Sequence, residues 1–243
     1  MGNILITGFE GFLGKTLIKH LSNFEGVNIL TFGRGNSINE LSNSLDEADF
    51  IFHFAGEVRP QSNYGDFILS NVSLTEDIIS LLIKKNKKTP ILFTSTIHAI
   101  DPKNAYGESK KQAENTIIDY GDRQSVNVWI YRLSHIFGPG CKPNYNSVIS
   151  TWIYNAIHGH EIDVYDRNVE MNYCYSLDLI QCFCKHLGDT SKNESKYLDF
   201  PNTYKVTLGN LVDEIFLIKD QGELYNPSNE FNKKLFDTYV SYS

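Results

Sequence analysis

The chain has 243 residues, 41% hydrophobic and 21% charged, ordinary globular values that set aside disordered, collagen-like and coiled-coil classes. A formal net charge of -7 argues against a nucleic-acid binder, whose footprint would be a basic surface. No apolar run approaches the roughly 20 residues needed to cross a bilayer, and the length leaves no room for a second large domain.

In chain order, short apolar runs alternate with amphipathic segments, the pattern of βαβ units and a parallel sheet. Strands are predicted over 3–7, 27–32, 49–54, 91–95 and 126–132, with helices over 12–23, 39–46, 67–85 and 104–120. After Phe137-Gly138-Pro139-Gly140 the alternation loosens. A helix over 147–157, short strands over 162–164 and 172–175, a helix over 176–187, a polar loop over 188–195 and a helix over 207–218 follow. The fold class expected is α/β, a Rossmann-type doubly wound parallel sheet with a small C-terminal substrate-binding cap. Residues 1–140 are mainly the nucleotide-binding core and 141–243 mainly the cap, in one compact unit.

The first strand runs into Gly8-Phe9-Glu10-Gly11-Phe12-Leu13-Gly14 and then a helix. In a dinucleotide fingerprint the first glycine permits the tight turn, the second lets backbone approach the pyrophosphate, and the third allows helix to pack on strand. The helix N-terminus then offers free N–H groups to phosphates. NAD-selective folds place an acid at the end of the second strand, NADP-selective ones a basic residue. Here Arg34 stands there with no carboxylate until Glu40, so NADP(H) is the preferred cofactor and NAD(H) the alternative. Phe54-Ala55-Gly56 ends the next strand with small residues that let backbone pass under an adenine or ribose.

Tyr106 and Lys110 lie four apart on a predicted helix, downstream of Thr94-Ser95-Thr96. That spacing puts phenol and ammonium on one face. A neighbouring cation favours the phenolate and lowers a phenol from its ordinary value of about 10. Cys141, Cys174, Cys182 and Cys184 lack CxxC spacing and read as free thiols of a cytoplasmic protein. His158-Gly159-His160 reads as a turn, and no metal site is expected.

The glycine fingerprint, Thr94-Ser95-Thr96, the Tyr106/Lys110 pair and Tyr131 to Pro139 together resemble the extended short-chain dehydrogenase/reductase (NAD-dependent epimerase/dehydratase) family over nearly the whole chain. The resemblance implies that Thr96 holds the substrate oxygen, Tyr106 exchanges its proton, and Lys110 binds nicotinamide ribose hydroxyls while lowering the tyrosine. Asn71 matches the helix asparagine that supports the family's proton relay, and is otherwise a cap or an exposed helix residue. Three departures stand out. The interval from Thr96 to Tyr106 is short, His135 occupies the place of an asparagine, and the arginine expected before Asn172 is absent, leaving Arg167 or Lys142 for the diphosphate. His98 is read as a substrate contact able to act as a second acid or base, or as a partly buried structural histidine. Asn144, Tyr145 and Asn146 carry groups suited to sugar hydroxyls or an N-acetyl group, and equally suit a polar loop in solvent.

Cys141 to Ile149, Asp166 to Glu170, Lys205 to Gly209 and Thr238 to Tyr242 resemble more closely the reductase half of a bifunctional capsular-polysaccharide enzyme family on the route to UDP-N-acetyl-L-fucosamine, without its cupin domain. That resemblance implies NADPH-dependent reduction of the 4-keto group of a UDP-linked 4-keto-6-deoxy sugar. A homodimer, a cytoplasmic location and a separate cupin-type epimerase as partner come with it. A 4-epimerase with bound NAD, a dehydratase and an NADP-binding redox-sensing regulator are the alternatives. The dehydratase lacks an acid pair after Thr96, and the regulator would have lost Tyr106 and Lys110.

Overall fold

The computed structural model describes residues 2–59, 61–145, 147–191 and 196–243. Its first stretch runs β1 (Asn3–Thr7), α1 (Phe12–Leu21), β2 (Asn28–Phe32), α2 (Ile38–Glu47), β3 (Phe50–His53), α3 (Tyr64–Phe67), α4 (Leu74–Lys84), β4 (Ile91–Thr96), α5 (Ala105–Gln124) and β5 (Val128–Leu133). There follow β6 (His135–Phe137), α6 (Val148–His158), β7 (Glu170–Tyr175), α7 (Ser176–Cys184), β8 (Tyr197–Leu198), β9 (Thr203–Thr207), α8 (Leu208–Gln221) and α9 (Glu230–Val240).

The chain divides into two units, the first made of Met1–Leu133 and Ile180–Phe200, the second of Ser134–Leu179 and Pro201–Ser243. In the first, six parallel strands lie in the order β2-β1-β3-β4-β5-β8. Ile4 pairs with Ile29 on one side and Phe50 on the other, and Ile91 with Ile51 and Val128. Strands covered on both faces need near-continuous apolar sequence, and β3, β4 and most of β5 are buried along their length. Leu5, Ile51, Phe93 and Ile130 pack with Leu41 and Leu45 of α2, Ile78 and Leu82 of α4, and Ala113 and Ile117 of α5. This core fixes the carboxyl ends of β1 to β4, where the predicted site residues emerge.

In the second unit β6 pairs with β7 in parallel and β7 with β9 antiparallel. Phe137, Tyr173, Ile153, Leu211, Ile215 and Phe231 form its core.

Three predicted segments change, and four elements are added. The helix expected over 67–85 begins earlier, at a capping box in which Asn63 and Asp66 exchange hydrogen bonds. It also carries a π-helical turn at Ile68–Ser73 before α4. The strand expected over 162–164 does not form; Ile162 and Val164 pack against the second core without joining a ladder. The helix expected over 104–120 runs on to Gln124 and stops at Ser125, whose φ of 52° is left-handed. Finally β6, β8, β9 and α9, none of them expected, are present. The tail of the polar loop, 192–195, falls outside the described residues. Among the described residues all four cysteines are free thiols, no helix is long and apolar enough to cross a membrane, and no group of His, Cys, Asp and Glu suits a metal ion.

Candidate active site

The glycine turn is built by close approach. Gly8 has φ +70°, and a Cβ there would sit 2.6 Å from the Ala55 nitrogen; one on Gly14 would sit 2.5 Å from the Gly8 oxygen. L-residues with side chains rarely adopt such a φ, and neither position has room for one. Gly11 then caps α1 with no side-chain acceptor, whereas Ser37, Asn104, Ser147, Thr207 and Asn229 cap α2, α5, α6, α8 and α9 with hydroxyl or amide oxygens. An N-terminus left without a side-chain cap, approached over bare glycines, suits a pyrophosphate. The residues present therefore fit a dinucleotide.

Beneath this turn a buried chain of hydrogen bonds crosses the unit. The Ala55 N–H donates to Thr7 Oγ1 at 3.2 Å, Thr7 Oγ1 meets His53 Nδ1 at 2.6 Å and His53 Nε2 meets Thr75 Oγ1 at 2.9 Å. Thr75 in turn donates to the Asn71 carbonyl at 2.7 Å. Since Thr7 already accepts from Ala55 and Thr75 donates onward, the order assigns His53 as a neutral ring with its proton on Nε2. Burial, with Lys110 nearby, pushes its pKa down to about 3, which keeps it neutral at every physiological pH.

Asn71 sits on the π-helical turn and is 1% exposed, so it is neither a cap nor an exposed helix residue. Its amide accepts from the Glu57 N–H at 2.8 Å and donates to the Glu57 carbonyl at 3.2 Å and to Ser109 Oγ at 2.9 Å. Ser109 donates to the Tyr106 carbonyl. The asparagine thus ties the segment after β3 to the helix that carries Tyr106 and Lys110.

Thr96 ends β4 and Tyr106 lies in the first turn of α5, where the Thr96 hydroxyl is near enough to the phenol to act on its pKa. Asn104 caps α5 through the Gly107 N–H at 2.9 Å. The short interval from Thr96 folds as a 3-10 turn, Ile97–Ala99. It lies hard against α5: a Cβ on Gly107 would be 2.5 Å from the His98 carbonyl oxygen. His98 is exposed rather than partly buried, its ring edge-on to Tyr106 with centroids 6.2 Å apart.

The expected lowering of Tyr106 is not found. Burial raises its pKa, with the Thr96 hydroxyl acting against the rise. Lys110 gives way instead. It is 4% exposed and its Nζ stands 4.0 Å above the Phe93 ring centre. Burial depresses it to about 7, and Glu114 offsets only part of the fall. A phenol raised and a lysine lowered make a protonated tyrosine, which suits a proton donor.

Arg34 also differs from expectation. The sequence shows no acid near it, yet Glu57 reaches it from the β3 side, with Arg34 Nη2 2.9 Å from Glu57 Oε2. Glu10 approaches the neighbouring Gly33, its Oε2 3.5 Å from where a Cβ there would stand. Sequence distance hid these carboxylates because adjacent parallel strands bring segments far apart in the chain to one edge.

Behind the site, Glu114 accepts from Ser95 at 2.6 Å and from Arg132 at 2.9 Å and 2.6 Å. Burial alone would raise this carboxyl, but the Arg132 and Ser95 hydrogen bonds hold it below the ordinary range. It pins β4 and β5 to α5, fixing Thr96 relative to Tyr106. Neither Glu114 nor Glu57 was singled out from sequence; the one available signal was Glu114 recurring four residues after Lys110 on the same helix face.

The remaining predicted contacts belong to the second unit. Arg167 is ion-paired with Asp213 at 2.6 Å, and the Lys142 Nζ stands 5.8 Å from the Tyr145 ring centre. Asn144 has a left-handed φ of 54° and donates its N–H to Thr151. His135 is exposed, its ring centroid 6.0 Å from that of Tyr173. Asn146 lies outside the described residues.

Residues 4–198 match the NAD dependent epimerase/dehydratase family. The chain belongs to that family. A UDP-2-acetamido-2,6-beta-L-arabino-hexul-4-ose reductase of Pseudomonas aeruginosa is 29% identical over 242 residues, 98% of this chain and 64% of the relative. The crystal structure of the capsular polysaccharide assembling protein CapF from Staphylococcus aureus superposes with a TM-score of 0.86 at 38% identity, covering 99% of this chain and 64% of that one. This epimerase/dehydratase chain therefore spans 64% of the length of both relatives. A UDP-glucuronic acid 4-epimerase from Bacillus cereus, solved with NAD, shares the fold with a TM-score of 0.85 at 14% identity.

Proposed function

We propose that this chain is an NADPH-dependent reductase of the 4-keto group of a UDP-linked 4-keto-6-deoxy sugar. The observation that carries the proposal is the approach of the Thr96 hydroxyl to the Tyr106 phenol, one helical turn from Lys110 and beside an uncapped glycine turn. The likeness to a UDP-hexulose reductase along 98% of the chain supports the substrate class.

Gly8 to Gly14 and Phe54 to Gly56 would hold the dinucleotide, with Lys110 at its nicotinamide ribose. When bound it supplies the hydride. Thr96 holds the carbonyl oxygen by a hydrogen bond, and Tyr106 donates its phenolic proton to that oxygen as negative charge develops there. Lys110, protonated, stabilises the phenolate left on Tyr106. The deep burial of Asn71 and Glu114 keeps these groups in register and cuts the orientational cost of the step. Arg34 favours NADPH over NADH.

The test is oxidation of NADPH by the purified protein with UDP-, dTDP- and GDP-linked 4-keto-6-deoxy sugars. Turnover with the UDP-linked N-acetylated substrate is expected; no consumption of NADPH or NADH with any of them would overturn the reading.

A further inference from the structure

His53 ends β3, is 1% exposed and takes no part in the chemistry proposed above. Both of its ring nitrogens are nevertheless engaged. Nδ1 faces Thr7 Oγ1 on β1, and Nε2 faces Thr75 Oγ1 on α4. Thr7 accepts from the Ala55 N–H, and a Cβ on Gly8 would stand 2.6 Å from that same nitrogen, so this arm ends directly under the glycine turn. Thr75 donates to the Asn71 carbonyl within the π-helical turn, a bond four residues back of the kind that bends helices.

The second arm leads to the reacting groups. Asn71 holds the Glu57 N–H and Ser109 of α5, and a Cβ on Gly56 would be 2.6 Å from Asn71 Oδ1 and 3.7 Å from Lys110 Nζ. The asparagine amide and the lysine ammonium therefore close on the same glycine. The stretch from His53 to Glu57 is held through Thr7 at Ala55 and through Asn71 at Glu57, and both holds run back to the His53 ring.

One protonation state serves both arms. With Ala55 donating to Thr7 and Thr75 donating to Asn71, Thr7 gives its proton to Nδ1 and Nε2 gives its own to Thr75. A proton on Nδ1 would turn the first of these bonds around. It would also set a second cation against Phe93, whose ring centroid is 5.2 Å from that of His53 and 4.0 Å from the Lys110 ammonium.

We propose that His53 is a positioning residue: a neutral ring between Thr7 and Thr75 that locks the glycine turn to the helix carrying Tyr106 and Lys110. This rests on the reduction proposed above, whose reacting groups it holds in register.

Histidine nitrogen NMR spectra of the whole protein should show His53 protonated at Nε2 alone at every pH at which the chain stays folded; a proton on Nδ1 would overturn the arrangement. His53→Phe, which keeps a ring on Phe93 and loses both bonds, should lower kcat about tenfold or more, as for a buried hydrogen bond broken, and move the KM for the sugar less. Titration without turnover should show NADP+ and NAD+ weakened alike, because the Ala55 arm lies under the turn common to both. His53→Gln, whose amide still offers an N–H to Thr75, should recover part of kcat. Thr75→Val keeps the side-chain shape and cuts one arm, so it should lower kcat too, and the double variant should be no worse than His53→Phe alone. If His53→Phe does not fold, Thr75→Val decides by its own kcat. Losses that multiply across the two sites, a His53→Gln no better than His53→Phe, or variants that melt earlier yet keep kcat and both dissociation constants per folded molecule would overturn the positioning role and leave the reduction standing. Wild-type protein that binds neither dinucleotide would overturn the reduction, and the positioning role with it.

Discussion

Among the described residues each unit buries one lysine against aromatic rings, and the two are driven in opposite directions. Lys110 in the first unit is 4% exposed above Phe93, and its pKa falls to about 7. Lys234 in the second is 9% exposed with Tyr175 and Tyr204 each 5.2 Å from its ammonium, and its pKa rises. Burial lowers both. Lys234, however, is ion-paired with Asp178, donates to the Tyr204 hydroxyl at 2.7 Å and has Glu230 at 3.6 Å, and these partners outweigh burial. The contrast separates a lysine whose charge is supported by partners in the folded chain from one whose charge costs stability there. Burial alone does not mark function; burial with partners missing does.

Replacing Lys110 by Met should give the largest effect. Turnover should fall by about 10²–10⁴-fold, the range for acid–base machinery, while the protein melts at a higher temperature. The sign follows from the lowered pKa. Between about 7 and the ordinary lysine value of 10.5 the native state holds fewer protons than the unfolded state, so wild-type stability rises with pH across that window. The gain from Lys110→Met should therefore be greater near pH 6 than near pH 9, as read by calorimetry. A destabilised Lys110→Met at low pH would break the comparison.

Lys234→Met should do the reverse. Removing one partner of a buried pair leaves Asp178 uncompensated, and a loss of about 3 kcal/mol in urea unfolding is expected, with turnover per folded molecule retained. Because the pKa of Lys234 is raised, its contribution is complete below the ordinary lysine value and fades only as pH climbs through the raised one. Wild type and variant should thus differ by a constant amount through neutral pH.

Phe93→Leu should be milder. The ring contributes about 1 kcal/mol to holding an ammonium above it, so its loss should move the alkaline limb of the activity profile to lower pH by up to about one unit. An unmoved limb would remove Phe93 from the account.

Much of the first unit was legible because period-2 apolar runs and helix caps are local signals. The strand expected over 3–7 matches β1 residue for residue, and Thr96, Tyr106 and Lys110 lie at the end of β4 and on α5. What stayed hidden depends on adjacency across the sheet. Glu57 reaches Arg34 from 23 residues away, and Asn71 reaches Ser109 from 38. The direction of the Tyr106 shift was misjudged because spacing places a cation near a phenol without saying how dry the place is. In the second unit β6 and β9 escaped detection, since their residues are short or half-exposed and gain strand form only by pairing with β7.

The reduction itself is tested most directly by isotope transfer. Purified protein is given NADPH deuterated at the transferable position and a UDP-linked 4-keto-6-deoxy-N-acetylhexosamine, and the product is weighed by mass spectrometry. One deuterium at the sugar C4, lost when Tyr106 is replaced by Phe, is the predicted result. Conversion of a nucleotide sugar with no deuterium incorporated and no NADPH consumed, as an epimerase returning its own hydride gives, would contradict it.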